Sequence, residues 1–224
     1  MENKADNLRM VNGQIKPING ITEKLVDIFN SLNRGDFMPE EFKRSAYTEK
    51  NLALSNQRVI LKPELVAKIA MYIDLKYNEN VLILGSTTGY LTAVLSLIAE
   101  TVIVVEENEK YLKSSEIAIK EKDLNNVVYI NKSITNGCIE HSPFHAIVIE
   151  GAVDYIPDKL LYQLENNGRL IAILSENGLC NAKMFTRKEA TFHSEQLFSC
   201  SLPVLPSFKE KNIFSFWFPI DITA

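Results

Sequence analysis

Residues 81–90 read VLILGSTTGY, and their reading decides the fold. The apolar run from Val81 to Leu84 climbs into Gly85. Ser86, Thr87 and Thr88 separate that glycine from Gly89, and Tyr90 opens a second apolar run, LTAVLSLIA. The pattern predicts a strand, a tight turn and a helix N-terminus. In an open parallel sheet, that junction is where the backbone comes close to a nucleotide-like ligand. The two glycines also have the small-xxx-small spacing of paired membrane helices, but no apolar stretch of about 20 residues surrounds them.

Outward from this turn, strand-like and helix-like runs alternate. Strands are predicted at Val81 to Leu84, Thr101 to Val105 (all β-branched), Val127 to Ile130, Ala146 to Ile149, and Arg169 to Leu174 after Asn166-Asn167-Gly168. Helices are predicted at Leu91 to Ala99, Lys110 to Lys122 and Asp158 to Leu164. A further helix starts at Pro63, with proline at the favoured first position and Leu65, Ile69, Tyr72 and Ile73 on one face. This alternation implies a doubly wound, mostly parallel α/β sheet. After Gly178 the rhythm changes to antiparallel strands, Ala182 to Arg187 and Phe192 to Leu197 about Lys188-Glu189-Ala190, with a last one at Ile213 to Phe218.

Before the core, the apolar positions from Leu8 to Leu32 predict two helices separated at Pro17, the second capped by Thr22 with Glu23 in its first turn. From Asn33 to Pro63 the pattern is irregular and reads as a long ordered segment over the main body. One domain over 1–224 is expected: an N-terminal helical arm and loop at 1–63, an α/β core at 64–178 and antiparallel strands at 179–224.

The length of 224 residues and 46% apolar content suffice for one large buried core. A net charge of −4 gives no general attraction to nucleic acid or anionic membrane. MENKADNLRM has no apolar signal region, and the most apolar stretch, Tyr90 to Val105, is interrupted by Glu100, so a cytoplasmic protein with no membrane partner is expected. Cys138, Cys180 and Cys200 are odd in number and lack ligand spacing, which reads as reduced thiols and no metal site.

Glu106, at the end of the second strand, stands about 20 positions beyond Gly85, where a carboxylate accepts hydrogen bonds from ribose hydroxyls in dinucleotide folds. The bland reading is that Glu106 and Glu107 cap a strand in solvent. There is no Gly-x-x-x-x-Gly-Lys-Ser/Thr loop and no Gly-x-Ser-x-Gly elbow, which excludes P-loop phosphoryl transfer and that class of hydrolase. His141, His145 and His193 lack metal spacing and read as surface or structural histidines.

These residues fall in an order that resembles the protein-L-isoaspartate O-methyltransferases, a family that uses S-adenosylmethionine. The marks are Arg9-Met10-Val11 with Gln14, Gly20-Ile21, Asn33-Arg34-Gly35-Asp36-Phe37-Met38-Pro39, Ala46-Tyr47, Ile60-Leu61-Lys62-Pro63 and Val66-Ala67. They continue through Gly85 to Tyr90, Val105-Glu106, Pro143-Phe144, Ile156-Pro157, Gln163-Leu164 and Gly168-Arg169-Leu170. The resemblance implies a Rossmann-like methyltransferase fold and a protein or peptide substrate. It also implies a cofactor cradle of Gly85, Ser86, Thr87, Gly89, Tyr90, Glu106, Glu107, Ser133, Ile134 and Glu150.

Five positions depart from the family pattern. Leu61 stands where the family has an active-site serine, so no hydroxyl is available there, and Lys62 beside it could hold an acidic substrate by charge. Ile83 replaces an acid of the glycine loop and cannot accept a hydrogen bond. Thr87 replaces its middle glycine, at a penalty of order 1 kcal/mol if φ is positive there. Ser133, in Lys132-Ser133-Ile134, replaces an Asp near the adenine, and His145 stands where an Asp follows Pro-Phe. The phrase Glu150-Gly151-Ala152-Val153 and the ending Leu202 to Phe208 resemble a divergent bacterial branch. Three functions remain open: methylation of damaged aspartyl carboxylates, methylation of another acceptor, or a methyltransferase fold kept as a binding or assembly module.

Overall fold

The computed structural model describes residues 2–176 and 178–210, with the backbone alone at residues 2 and 3. The strand expected at Ile213 to Phe218 lies outside the described residues. The arm begins with α1 (Glu2–Met10), continues in one wider, π-type turn at Val11–Ile15, and forms α2 (Glu23–Ser31). Thr22 caps α2 as its sequence predicts, its hydroxyl accepting from the Leu25 N–H at 3.3 Å. Met10, Val11, Ile15, Leu25, Val26 and Phe29 are buried in the same core as the sheet. The arm is therefore part of the packed body.

The segment expected to be irregular carries two short 3₁₀ turns, Arg34–Phe37 and Glu40–Ser45, and then a two-residue ladder, β1 (Leu52–Ala53) with β2 (Val59–Ile60). Its turn runs through Asn56 and Gln57 at φ +56° and +59°, and the Arg58 N–H closes it on the Ser55 carbonyl at 3.2 Å. Two successive left-handed residues match the twist of a tight hairpin, but glutamine pays for that conformation where glycine would not.

From α3 (Pro63–Ile73) the chain winds through β3 (Asn80–Leu84), α4 (Tyr90–Ser96), β4 (Thr101–Val105), α5 (Glu109–Lys120), β5 (Val127–Ile130), β6 (Phe144–Val153), α6 (Asp158–Leu161), β7 (Leu164–Glu176), β8 (Leu179–Lys188) and β9 (Thr191–Cys200). The sheet order is β5-β4-β3-β6-β7-β8-β9, parallel from β5 to β7 and antiparallel across β8 and β9. Val81 and Ile83 face the layer holding α3, α4 and the arm, whereas Leu82 and Leu84 face the layer holding α6 and Phe208. Burial on both faces explains why the parallel strands read as unbroken apolar runs.

Several boundaries move from their expected places. α6 has one turn, because Leu164 already pairs with Phe144 as β7 begins. β6 runs on to Val153 through register shifts that admit Glu150 and Gly151. α4 stops at Ser96, ahead of the expected Ala99. Asn108 caps α5 by accepting from the Lys110 and Tyr111 N–H groups at 3.0 and 3.3 Å. Asn108→Ala is expected to lower stability by about 1 kcal/mol. Thermal unfolding should register this as a lower midpoint, and an unchanged midpoint would rule the cap out as a contributor.

Candidate functional site

The strand order reverses direction at β3, with β4 on one side and β6 on the other, so the crevice of an open sheet lies above their carboxyl ends. The turn Gly85–Gly89 and the irregular part of β6 at Glu150-Gly151 meet there. Gly85 and Gly89 have φ of +86° and +84°, the left-handed conformation that favours glycine. Gly89 lies against α5 so closely that a Cβ would come within 2.8 Å of the Ser115 Oγ. Ser86 turns its hydroxyl inward to Thr92 and Ser115, each at 3.1 Å, and Ser115 bonds the Tyr129 hydroxyl at 2.7 Å.

Glu106 is fully buried, not a solvent-facing strand cap, and both oxygens of its carboxylate already accept hydrogen bonds. The Arg58 guanidinium donates through Nη1 to Oε1 at 3.0 Å and through Nη2 to Oε2 at 2.7 Å. The Asn108 N–H adds a bond to Oε1 at 2.7 Å. Arg58 Nη2 also donates to the Gly85 carbonyl, and its Cζ lies 5.2 Å from the Tyr111 ring centre. The partners are 48 residues apart in sequence and come from different elements, the β1–β2 turn and the end of β4. Glu107 faces outward and accepts from the Ser207 hydroxyl, on a cavity of about 510 Å³ that Asn56, Gln57 and Lys209 also line.

Glu150, in that irregular part of β6, is buried, and its Oε1 accepts from the Thr87 hydroxyl at 3.1 Å. Burial pushes its carboxyl up to about 7, against the attraction of Arg58 and the Thr87 bond. Thr87 is absent from the non-glycine residues with positive φ, so the expected strain there does not arise. Its hydroxyl instead fills space beside Glu150. Ile83 lies wholly inside the core, Ile134 is buried, and the Ser133 hydroxyl bonds only the Thr135 hydroxyl, at 3.0 Å, among the described hydrogen bonds.

On the arm side, Arg34 is buried over the Tyr90 ring at 4.7 Å. Its Nε donates to the Ala46 carbonyl at 2.7 Å and its Nη2 to the Leu61 carbonyl at 2.6 Å, which fixes the path of the segment up to Pro63. Burial lowers its guanidinium to about 10, and the facing Tyr90 and Glu150 oppose that shift. Leu61 is buried, while the Lys62 ammonium reaches the rim and pairs with Glu64 at 2.6 Å. A cavity of about 520 Å³ opens beside Lys62, lined also by Gln14, Lys68 and Tyr72.

His145 is structural. Its Nδ1 lies 2.6 Å from the Asn80 Oδ1 and its Nε2 lies 3.0 Å from Glu165. The three cysteines carry free thiols, and among the described residues no cluster of His, Cys, Asp and Glu could hold a metal. Among the described residues, no helix is long and apolar enough to cross a membrane.

In this arrangement of side chains the seat expected for the ribose of S-adenosylmethionine is held by Arg58. Both oxygens of the acid expected to take the ribose are committed to Arg58. Arg58 Nη2 and Leu205 Cδ1 line the space beside Gly85, where an added Cβ would meet them at ordinary contact distances of 3.4 and 3.8 Å. The segment after β9 closes the same space, because the Leu205 N–H bonds the Ala152 carbonyl at 2.8 Å and its side chain rests on Gly151. The sequence reading missed Arg58 and Leu205. The available signal was Glu106 itself, because a carboxylate ending an all-apolar strand needs a cation once buried.

Comparison with known proteins places this geometry among others. The family model described as protein-L-isoaspartate(D-aspartate) O-methyltransferase matches residues 7–205. A protein-L-isoaspartate O-methyltransferase of Aliivibrio salmonicida is 32% identical over 175 residues, covering 78% of this chain and 84% of the relative. One of Helicobacter pylori is 30% identical over 184 residues, covering 81% and 88%. A crystal structure from Plasmodium falciparum, described as a protein-L-isoaspartate O-methyltransferase in complex with S-adenosyl-L-homocysteine, aligns with a TM-score of 0.76 at 20% identity, covering 92% and 98%.

Proposed function

We infer, because the chain belongs to the protein-L-isoaspartate(D-aspartate) O-methyltransferase family, that it methylates the carboxylate of damaged aspartyl residues in proteins with S-adenosylmethionine as donor. The observation that carries this reading is the family match over residues 7–205, which takes in the arm, the Gly85–Tyr90 turn and the covering segment up to Leu205. The acceptor is a protein or peptide. Neither nucleic acid nor membrane is a partner in this reading, and the setting is cytoplasmic. The arm, the sheet core and the C-terminal strands act as one methyltransferase-like unit.

A carboxylate acceptor is already ionised at neutral pH, so the protein's task is placement and exclusion of water more than proton transfer. The absence of a serine hydroxyl at Leu61 is therefore compatible with this chemistry. Incubation with labelled S-adenosylmethionine and an isoaspartyl peptide is expected to give a base-labile methyl ester. A yield no higher than with the matching aspartyl peptide would sink the assignment.

Lys62 is the cation we assign to the acceptor. Its ammonium is part-exposed, is shared with Glu64 and stands at the cavity rim. A screened contact of this kind is worth about 0.2–1 kcal/mol. Lys62→Met should therefore raise KM for the isoaspartyl peptide by up to about fivefold and leave kcat unchanged. Equal KM values would make Lys62 a solvated surface residue.

A further inference from the structure

The acid at the end of β4 has two oxygens, and one side chain holds both. Arg58 and Glu106 are 5% and 0% exposed, joined by two bonds of 3.0 and 2.7 Å, and the same guanidinium also donates to the carbonyl of the first glycine in the turn. A ribose whose hydroxyls bond this carboxylate competes with the guanidinium for the same two oxygens. Among the described residues, nothing comparable holds the rest of the turn that carries Arg58. β1 and β2 share only the pairs Leu52 with Ile60 and Ala53 with Val59. A two-stranded ladder of this length has little stability of its own. Asn56 and Gln57 are in left-handed conformations. The turn is tied down by the Arg58 pair and by Tyr111, whose hydroxyl lies 2.9 Å from the Ser55 Oγ and donates to the Ser55 carbonyl at 3.2 Å.

We propose that Arg58 is a built-in competitor for the ribose of the cofactor. The Arg58–Glu106 pair holds the seat shut, and an S-adenosyl ligand enters only as the Ser55–Arg58 turn swings outward. This rests on the family reading above for the identity of the ligand and goes beyond it in assigning the affinity of the seat to one side chain. When the binding-competent form is only a fraction of the population, the apparent Kd rises by the inverse of that fraction. A closed seat open about 1–10% of the time weakens the apparent affinity about ten- to a hundredfold.

The test is calorimetric titration of S-adenosylhomocysteine into the wild-type chain, Arg58→Gln and Tyr111→Phe. Arg58→Gln is expected to bind at least about tenfold tighter than the wild type, with Tyr111→Phe in between because it loses only the tie to Ser55. Hydrogen exchange on the wild-type chain gives a second measurement independent of whether a variant folds. Saturating ligand should reduce protection of the Leu54 and Arg58 amides, which bond across the turn. Equal affinity in wild type and Arg58→Gln, or a turn whose protection does not fall on binding, overturns the competitor and leaves methyl transfer intact. If neither folded protein binds at millimolar ligand, both the competitor and the methyl-transfer reading fall. Tighter binding by Arg58→Gln with no methyl ester formed upholds the competitor and removes only the acceptor assignment.

Discussion

Glu106→Gln is expected to lower the stability of the folded chain by about 3–5 kcal/mol, the usual consequence of removing one member of a buried ion pair. The glutamine has nearly the size of the acid, so little cavity forms. What is lost is charge: the Arg58 guanidinium would face an amide whose nitrogen is itself a donor, in a place closed to water. The Asn108 N–H, which also bonds Glu106, would lose its carboxylate acceptor if the amide turns the wrong way. Urea unfolding at neutral pH measures the difference as a lower midpoint at constant slope. The double variant Arg58→Met with Glu106→Gln should recover most of the loss, because a buried pair replaced on both sides leaves no unpaired ion. A single-variant loss under about 1 kcal/mol would mean that the pair is hydrated in solution, the value expected of exposed pairs.

The same pair marks the boundary of what sequence could reveal. The sheet was legible because local composition fixes it: Val81–Leu84 and Val102–Val105 are apolar throughout, as strands covered on both faces must be, and α5 carries its own cap. β7 was read late because Glu165-Asn166-Asn167-Gly168 has the composition of a turn, yet the chain passes it within a strand whose register with β6 shifts there. Pairing, not composition, decides that stretch. At the site, the glycine turn and Glu106 were legible because a ligand-binding turn leaves a local signature. Arg58 was not, since its partner lies 48 residues away and no periodicity connects a hairpin tip to a strand end. Thr87 shows the opposite error. Its Cβ reads as a penalty in a glycine loop, but the structure gives it a permitted φ and a hydrogen bond to Glu150.

Glu150→Gln is expected to stabilise the chain in alkaline solution and to leave it unchanged in acid. Burial raises the Glu150 carboxyl from its ordinary 4.5 to about 7 in the folded chain. Below the ordinary value both folded and unfolded states carry the proton, and the group has no effect on stability. As pH rises between the two values, the unfolded chain releases a proton that the folded chain retains, so stability falls. Above about 7 the folded carboxylate is charged as well, and the full penalty remains. At about 1.4 kcal/mol per pH unit, that penalty is about 3 kcal/mol. Glutamine carries no charge and can still accept from the Thr87 hydroxyl, so the variant should match the wild type at pH 4 and exceed it by about 3 kcal/mol at pH 8. Taking the difference between the two unfolding curves cancels every other titrating group. A gap that stays constant from pH 4 to pH 8 would place the carboxylate in contact with water. A gap that opens as pH rises from about 4.5 to about 7 would instead establish that the sheet holds a destabilising acid at its switch point, within electrostatic reach of Arg34 and Arg58. No packing argument accounts for such an acid, and a role at the site would.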